Sequence, residues 1–509
     1  MKQKILILIT IALMLSSGCT LNKSTPTQSI SNHTNKSCQT SANGFQTKKI
    51  KKSYIPKYNV SNTGGNFSNH DLIYFIMTDR FYDGDTSNDN FPDVNKKDAK
   101  AYHGGDLKGI IKKLDYIKSL GTTAIWITPV VKNEPKGYHG YWAYDFYKVD
   151  PHIGTMDDFK NLVDEAHKRN IKVIMDYVVN HTGYNSPWLK DDTKKDWFHT
   201  KLNITNWSDQ KQVENGWLSG LPDLNQENPE VRKYFIENAL WWISKTNIDG
   251  MRLDTVRHVP KEFWNEFAHA IKEKYPNFYL LGEVWNESTH YLEQYHKLGI
   301  DGLTNYSMYN GIKNAFTRFG QTDSLINAIK QETNFSNPEI NGIFIDNHDN
   351  MRLISMAGKH GKEYLKQALT FELTYPSIPI IYYGTEIGMQ GKSDPDNRRD
   401  MEWNKTKKSD ILDFYRKIVD FRNTNPALQT GDFKLLDYDS YFLSYMRKHN
   451  NSSVIVVMNL QNKNKNVTIN VPQNNTKFKD LLTNKTYTLE HNKLQLMLKP
   501  LDLIILESN

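Results

Sequence analysis

The stretch GMRLDTVRH, residues 250–258, places Arg252 two residues before Asp254 and His258 four residues after it. On an extended strand, residues two apart face the same side, so Arg252 and Asp254 address one point. A neighbouring guanidinium favours the ionised carboxylate and lowers its pKa. An ionised, oriented Asp is what a carboxylate nucleophile requires. GEVW, residues 282–285, ends an apolar run in Glu283, beside Trp285. Partial desolvation there raises a carboxyl's pKa and suits a general acid. Two carboxylates in opposed environments are what retaining glycoside hydrolysis needs, at a separation of roughly 5 Å. Either one alone reads equally well as a salt-bridged strand end.

The elements that must position these groups follow from hydrophobic patterning. Apolar runs at 72–77, 123–128, 172–178, 250–254, 278–284, 342–346 and 378–384 read as strands, with a weak strand near 300–305. Helical patterns alternate with them, as in DLKGIIKKLDYIKSLG (106–121) and NPEVRKYFIENALWWISK (228–245). Strand–helix alternation of this kind predicts a parallel sheet, and eight strands favour a (β/α)8 TIM barrel over an open sheet. In such a barrel the C-terminal strand ends build the active site. Asp176, Asn180 and His181, Arg252 and Asp254, Glu283, and His348 and Asp349 all fall there.

The barrel is expected over residues 69–181 and 226–426. Between them, 182–225 is Trp- and Asp-rich with little periodicity, and is read as an excursion domain after strand three, since a loop that long usually carries function. From 427 to 509 short alternating apolar runs predict a C-terminal β-sandwich domain.

The net charge of +7 does not describe the folded part. Residues 1–65 hold nine Lys and no Asp or Glu, which leaves residues 66–509 near −2. A nucleic-acid groove is therefore not implied. MKQKILILITIALMLSSGC reads as a secretory signal peptide over residues 1–18. Its end, LSSGC, resembles a bacterial lipobox, which makes Cys19 the lipidation site and anchors the chain on the outer face of the cell membrane. Residues 19–68 are polar and Lys-rich, as a flexible tether would be. The only other cysteine is Cys38, so neither a disulfide framework nor a Cys-rich metal site is expected.

Taken together, DYVVNH (176–181), GMRLDTVRH (250–258), GEVW (282–285) and FIDNHD (344–349), with LPDLN (221–225), resemble the α-amylase superfamily, glycoside hydrolase family 13, over roughly residues 70–505. The resemblance implies Asp254 as nucleophile, Glu283 as acid/base and Asp349 as a third carboxylate that binds and distorts the reacting sugar. It implies that His181 and His348 bond that sugar, that Arg252 orients Asp254, and that Asp176 supports the site. Arg257 and His258 resemble an acceptor-side pair. In YHGYWAYDF (138–146), Tyr141 and Trp142, with His139 beside them, match sugar-stacking residues. In SDPDNRR (393–399), Asp394 and Arg398 match contacts farther along the donor side, against a loop ion pair as the plain reading.

Two calcium ions are implied in the same way. Asn180, Asp223 and the His258 carbonyl match a site between barrel and excursion domain. DGDTSNDN (83–90) with GGD (104–106) resembles a calcium loop, through Asp83, Asp85, Asn88, Asp89, the Gly104 carbonyl and Asp106. An acidic solvated turn is the alternative for this loop.

The activity expected is endo-hydrolysis of α-1,4 bonds in starch, glycogen or maltodextrins by a monomer. The alternative is a maltogenic, neopullulanase-like or transglycosylating enzyme on short maltooligosaccharides. A non-catalytic glucan-binding lipoprotein comes third, because such proteins lose the catalytic carboxylates that this chain keeps.

Overall fold

The computed structural model describes residues 67–317, 320–472 and 477–508. The signal peptide, Cys19, Cys38 and nearly all of the tether lie outside them. Phe67, assigned to the tether, is instead part of the core: its ring stacks on Tyr279 at 4.4 Å and is 2% exposed.

Eight parallel strands form the barrel: β1 Ile73–Ile76, β2 Ala124–Ile127, β3 Lys172–Tyr177, β4 Gly250–Leu253, β5 Tyr279–Gly282, β6 Gly302–Leu303, β7 Gly342–Ile343 and β8 Ile378–Tyr382. Their order follows the chain, with β8 paired to β1. A parallel bridge between Thr304 and Gly342 joins β6 to β7 and closes the ring. β6 and β7 are two residues each, shorter than the apolar runs predict; Phe344–Asp346 leave the ladder after β7.

Helices return the chain between strands. Leu107–Ser119 follows β1, with the Asp106 side chain capping it by accepting from the Gly109 N–H at 2.6 Å. Its Leu107, Ile110, Leu114 and Ile117 recur at helical spacing and are fully buried. Pro229–Thr246 follows the excursion, with Asn228 as N-cap and Pro229 at the first helical position, where its missing N–H costs nothing. After β2 an antiparallel ribbon, Val131–Asn133 with Ala143–Val149, carries the aromatic segment to the rim of the barrel. Patterning alone does not reveal this ribbon.

Residues 182–225 contain short 3-10 turns and one helix, Gln210–Asn215; the bridge His181–Asp223 pins the segment to the loop after β3, and Phe198–Leu224 closes it on itself. The C-terminal domain begins at β9 Asp432–Asp439 and continues as β10 Phe442–His449, β11 Ser452–Asn459, β12 Lys465–Asn470, β13 Lys477–Asp480, β14 Thr486–Thr488, β15 Lys493–Leu498 and β16 Leu503–Ser508. A six-stranded sheet, β9-β10-β11-β16-β13-β14, faces the β12–β15 pair across a second core that includes Phe442, Ile455, Phe478 and Leu494. Tyr445 and Arg447 bond the Thr374 hydroxyl and carbonyl of the barrel, at 2.6 and 2.7 Å. Among the described residues no helix is long and apolar enough to cross a membrane.

Candidate active site

The parallel register of β3 and β4 sets Asp176 directly opposite Arg252. The Arg252 guanidinium, 1% exposed, therefore meets both Asp176 oxygens, at 2.9 and 3.0 Å. The same nitrogen donates to Asp254 Oδ1 at 2.8 Å, and the other terminal nitrogen contacts Glu283 Oε1 at 2.5 Å. One buried cation thus holds the proposed nucleophile, the proposed acid and the supporting Asp. Asp176 also accepts from Tyr141 Oη at 2.7 Å and Trp126 Nε1 at 3.1 Å. Burial nonetheless pushes its carboxyl up to about 6.

Glu283 is pushed up to about 8. Burial is the largest cause, the charges of Asp254 and Asp349 add to it, and Arg252 opposes it. The desolvation does not come from Trp285, which is half exposed and lies flat on Tyr306 at 4.9 Å. Tyr306 itself covers Glu283, with its hydroxyl 3.4 Å from Oε1.

Thr255 ties the pair together: its N–H donates to Glu283 Oε2 at 3.2 Å and its hydroxyl to Asp254 Oδ2 at 3.0 Å. Its φ of 45° is left-handed, which is strained for a β-branched residue. Neither Thr255 nor Tyr306 is singled out by the sequence, because the roles come from backbone geometry and from packing between strands.

Asp349 opens to solvent at the other side, bonded by Arg398 at 3.0 Å and His348 Nε2 at 3.2 Å. Arg398 also donates to the His348 carbonyl at 2.8 Å and lies 3.3 Å from Asp394. Arg398 is buried and fixes Asp349, so its place is behind the third carboxylate. Asp394 stays at the surface as its ion-pair partner, which matches the plainer reading of this loop.

His348 stacks on Tyr141 at 5.3 Å, and its Nδ1 is buried without a protein partner. Burial drives His348 down to about 3 and lowers His181 and His139 as well, so all three rings are neutral near pH 7 and can both donate and accept. His181 is already engaged at both nitrogens, by Asn180 at 3.2 Å and the Tyr141 carbonyl at 3.1 Å. In this structure it supports the Tyr141 platform. His139 accepts from the Tyr141 N–H at 3.1 Å and meets the Trp142 ring edge-on. Trp142 in turn meets the exposed Tyr184 of the excursion segment at 5.3 Å, which extends the aromatic surface.

Arg257 and His258 do not project freely into the cleft. Arg257 reaches the Trp207 carbonyl, and His258, buried and pushed down to about 4 by that burial, contacts the Val213 carbonyl at 3.1 Å. Both brace the excursion helix.

The residues implied for calcium pass a test of fit in part. Asn180 Oδ1 and Asp223 Oδ1 are buried with no hydrogen-bond partner, and the His181–Asp223 bridge brings their backbones together. Buried, unpaired oxygens are costly, and oxygen donors suit Ca²⁺. At the second loop, Asp83 Oδ1, Asn88 Oδ1 and Asp89 Oδ1 are likewise buried and unpaired. Gly104, at φ 86°, lets Asp89 approach so closely that a Cβ there would sit 2.2 Å from Oδ1. Asp85 and Asp106 differ: Asp85 is held by Lys108 at 2.5 Å and by Ser87, and Asp106 caps the helix and accepts from Gly84 and Asp85. Among the described residues, no three His, Cys, Asp or Glu form a metal-ligand group. The fit therefore rests on mixed amide and carboxylate oxygens.

The alpha-amylase catalytic-domain family model matches residues 75–430, and the maltogenic amylase C-terminal domain model matches residues 433–505. A beta/alpha-amylase of Paenibacillus polymyxa is 40% identical over 448 residues, covering 84% of this chain but only 37% of that protein. A cyclomaltodextrinase of a Bacillus species is 35% identical over 408 residues, covering 76% of this chain and 72% of the relative. An Anoxybacillus alpha-amylase crystal structure superposes with a TM-score of 0.82 at 46% identity, covering 86% of this chain and 98% of that one. The carboxylates gathered on Arg252 thus sit in a scaffold of matching sequence and shape, and the chain is a glycoside hydrolase that belongs to the alpha-amylase family.

Proposed function

We propose that this protein hydrolyses α-1,4-glucosidic bonds in maltooligosaccharides and related short α-glucans, with retention of configuration, as a maltogenic or cyclomaltodextrinase-like enzyme. The observation that carries the chemistry is the single guanidinium of Arg252 shared by Asp254 and Glu283, with Glu283 kept protonated to about 8 by its burial. Glu283 gives its proton to the glycosidic oxygen. Asp254, held by Arg252 and Thr255, bonds to the sugar's anomeric carbon as the leaving chain departs. Glu283, now ionised, takes a proton from water, which attacks the glycosyl-enzyme and restores both groups. Asp349, fixed by Arg398, accepts hydrogen bonds from the reacting sugar's hydroxyls.

The cyclomaltodextrinase relative and the maltogenic C-terminal domain support short substrates over polymeric starch. The expectation of an endo-acting α-amylase is therefore the second reading. It is favoured by the likeness to the Anoxybacillus alpha-amylase over nearly all of that chain. The test follows iodine staining and reducing ends on amylose, beside product release from maltoheptaose and β-cyclodextrin, with Asp254→Asn as control. Abundant maltose with slow loss of staining, and turnover of cyclodextrin, support the maltogenic reading. Fast loss of staining with few new ends supports the endo reading. No turnover of any of them overturns both.

We further propose that Ca²⁺ binds Asn180 and Asp223, and that a second ion binds the Asp83–Asn88–Asp89 loop; each would brace a rim of the cleft. Lipidation of Cys19 in LSSGC would hold a monomeric enzyme at the outer face of the cell membrane, where glucans reach it; the chain should then incorporate labelled palmitate, and Cys19→Ala should abolish that incorporation.

A further inference from the structure

On the same face of the barrel as Glu283, a cavity of about 530 Å³ opens between the loop after β5 and the two helices after β6, Tyr306–Ala315 and Asp323–Gln331. Neither Asp254 nor Glu283 lines it. Its size is that of a small-molecule site. We propose that it is an accessory binding site for a neutral α-glucan chain, and that it retains long substrates beside the cleft; the inference rests on the glucan-hydrolase reading above.

The chemistry of the wall selects the ligand class. It is built mostly from hydroxyl and carboxamide side chains, among them Ser307, Asn310, Asn327, Gln331 and Asn334. These groups donate and accept at one position, as sugar hydroxyls do. Among the described residues no Lys or Arg lines the cavity and Glu287 adds a carboxylate, so a phosphorylated ligand meets only the His290 ring as a possible counter-charge; the small apolar surfaces are Gly311 and Ala328, too little for a lipid.

The wall is also prepared. Asn334 donates to Thr289 Oγ1 at 2.7 Å, which fixes the helix Asp323–Gln331 and its extension against the loop after β5. Asn314 donates to Ser324 Oγ at 3.2 Å, which fixes the two helices to each other. Asn327 and Gln331 lie four residues apart on the helix face toward the cavity, and their side chains have no protein partner among the described residues.

Position links the cavity to catalysis. Trp285, half exposed, stacks on Tyr306, and the cavity begins with Glu287 on one strand of chain and Ser307 on the other. One wall thus continues from Trp285 and the other from Tyr306, the residue that covers the acid. A chain lying on Trp285 can run on into it.

The test uses Asn327→Ala with Gln331→Ala, two exposed or half-exposed helix positions where Ala favours the fold. In the Asp254→Asn background, calorimetry with maltotriose should show two sites per chain, reduced to one by the double substitution. In the active enzyme, the same substitutions should raise KM on long maltodextrins by about fivefold and leave kcat/KM on maltotriose unchanged. One maltotriose site in the parent, or equal KM values on long chains, overturns the accessory site. A parent enzyme that cleaves no maltodextrin overturns the glucan-hydrolase reading instead, and is read from the unsubstituted protein.

Discussion

Arg252 and Asp176 face each other across neighbouring parallel strands, and one nitrogen of the guanidinium bonds both Asp176 and Asp254. The pair is buried, and the cation is held by its carboxylates and by the faces of the Trp126 and Tyr141 rings. Removing it strands charge in the core. Arg252→Ala should cost about 3–5 kcal/mol of stability, seen as a large drop in Tm. Arg252→Lys keeps the charge but cannot span three acids; a fold retained by circular dichroism, with kcat reduced by about a hundredfold, is expected from the misplaced nucleophile.

Glu283 gives the pH dependence. Its ordinary value is 4.5 and the fold raises it to about 8. The protonated acid needed for the first step is thus present at neutral pH and is lost as pH rises through about 8. An alkaline limb of kcat/KM near 8 is the expected result; a limb below 6 would contradict it. The same shift costs stability. Above 4.5 the unfolded chain ionises Glu283 more easily than the folded one does, so the penalty grows until about 8. Glu283→Gln should abolish turnover, and raise Tm at pH 7.5 by about 2 °C.

The unpaired oxygens of Asn180 and Asp223 predict a metal effect on stability. An ion bound at a hundred times its dissociation constant adds about 2.7 kcal/mol. Chelation should lower Tm by several degrees and added Ca²⁺ should restore it. Asp223→Asn should abolish the share of the response that belongs to this site, whereas Lys108→Ala should not, since Lys108 pairs with Asp85 and Asp158, away from it.

Asp349 relies on Arg398, which bonds its Oδ1 and the carbonyl of His348. Arg398→Lys shortens the reach and loses the fork, so Asp349 is freed while remaining charged. The expected outcome is a fall of about tenfold in kcat, with KM for maltotriose raised less. Asp394→Ala, which removes only the surface partner, should change either constant by less than about twofold.

The barrel and the catalytic pair were legible because each depends on a local pattern. Apolar runs of strand length mark β1 to β5, β7 and β8, and the two-residue spacing of Arg252 and Asp254 survives folding as a shared direction. The two-residue strand β6 is barely visible, since its segment DGLTN carries little periodicity. Tyr306 as the cover of Glu283, Arg398 as the support of Asp349, and the burial of His258 under the excursion helix all arise from contacts between segments more than twenty residues apart. No local spacing encodes them. The contacts of Arg257 and His258 with the Trp207 and Val213 carbonyls are invisible in the sequence for the same reason.

Gln210 adds a further latch to the excursion helix, Gln210–Asn215. Gln210 accepts from Tyr291 Oη at 2.7 Å and donates to the Arg257 carbonyl at 2.9 Å and to Glu214 at 2.8 Å. It thereby joins the excursion segment, the loop after β4 and the helix after β5. The half-exposed Trp207 sits three residues earlier, over His258. Gln210→Ala removes three hydrogen bonds worth about 1 kcal/mol each, but the barrel core does not depend on them. Tm should therefore fall only slightly, while limited proteolysis at 200–216 speeds up and KM for maltooligosaccharides rises by about fivefold with kcat nearly kept. Equal proteolysis rates in the two proteins would show that the segment is held by its backbone bridges alone.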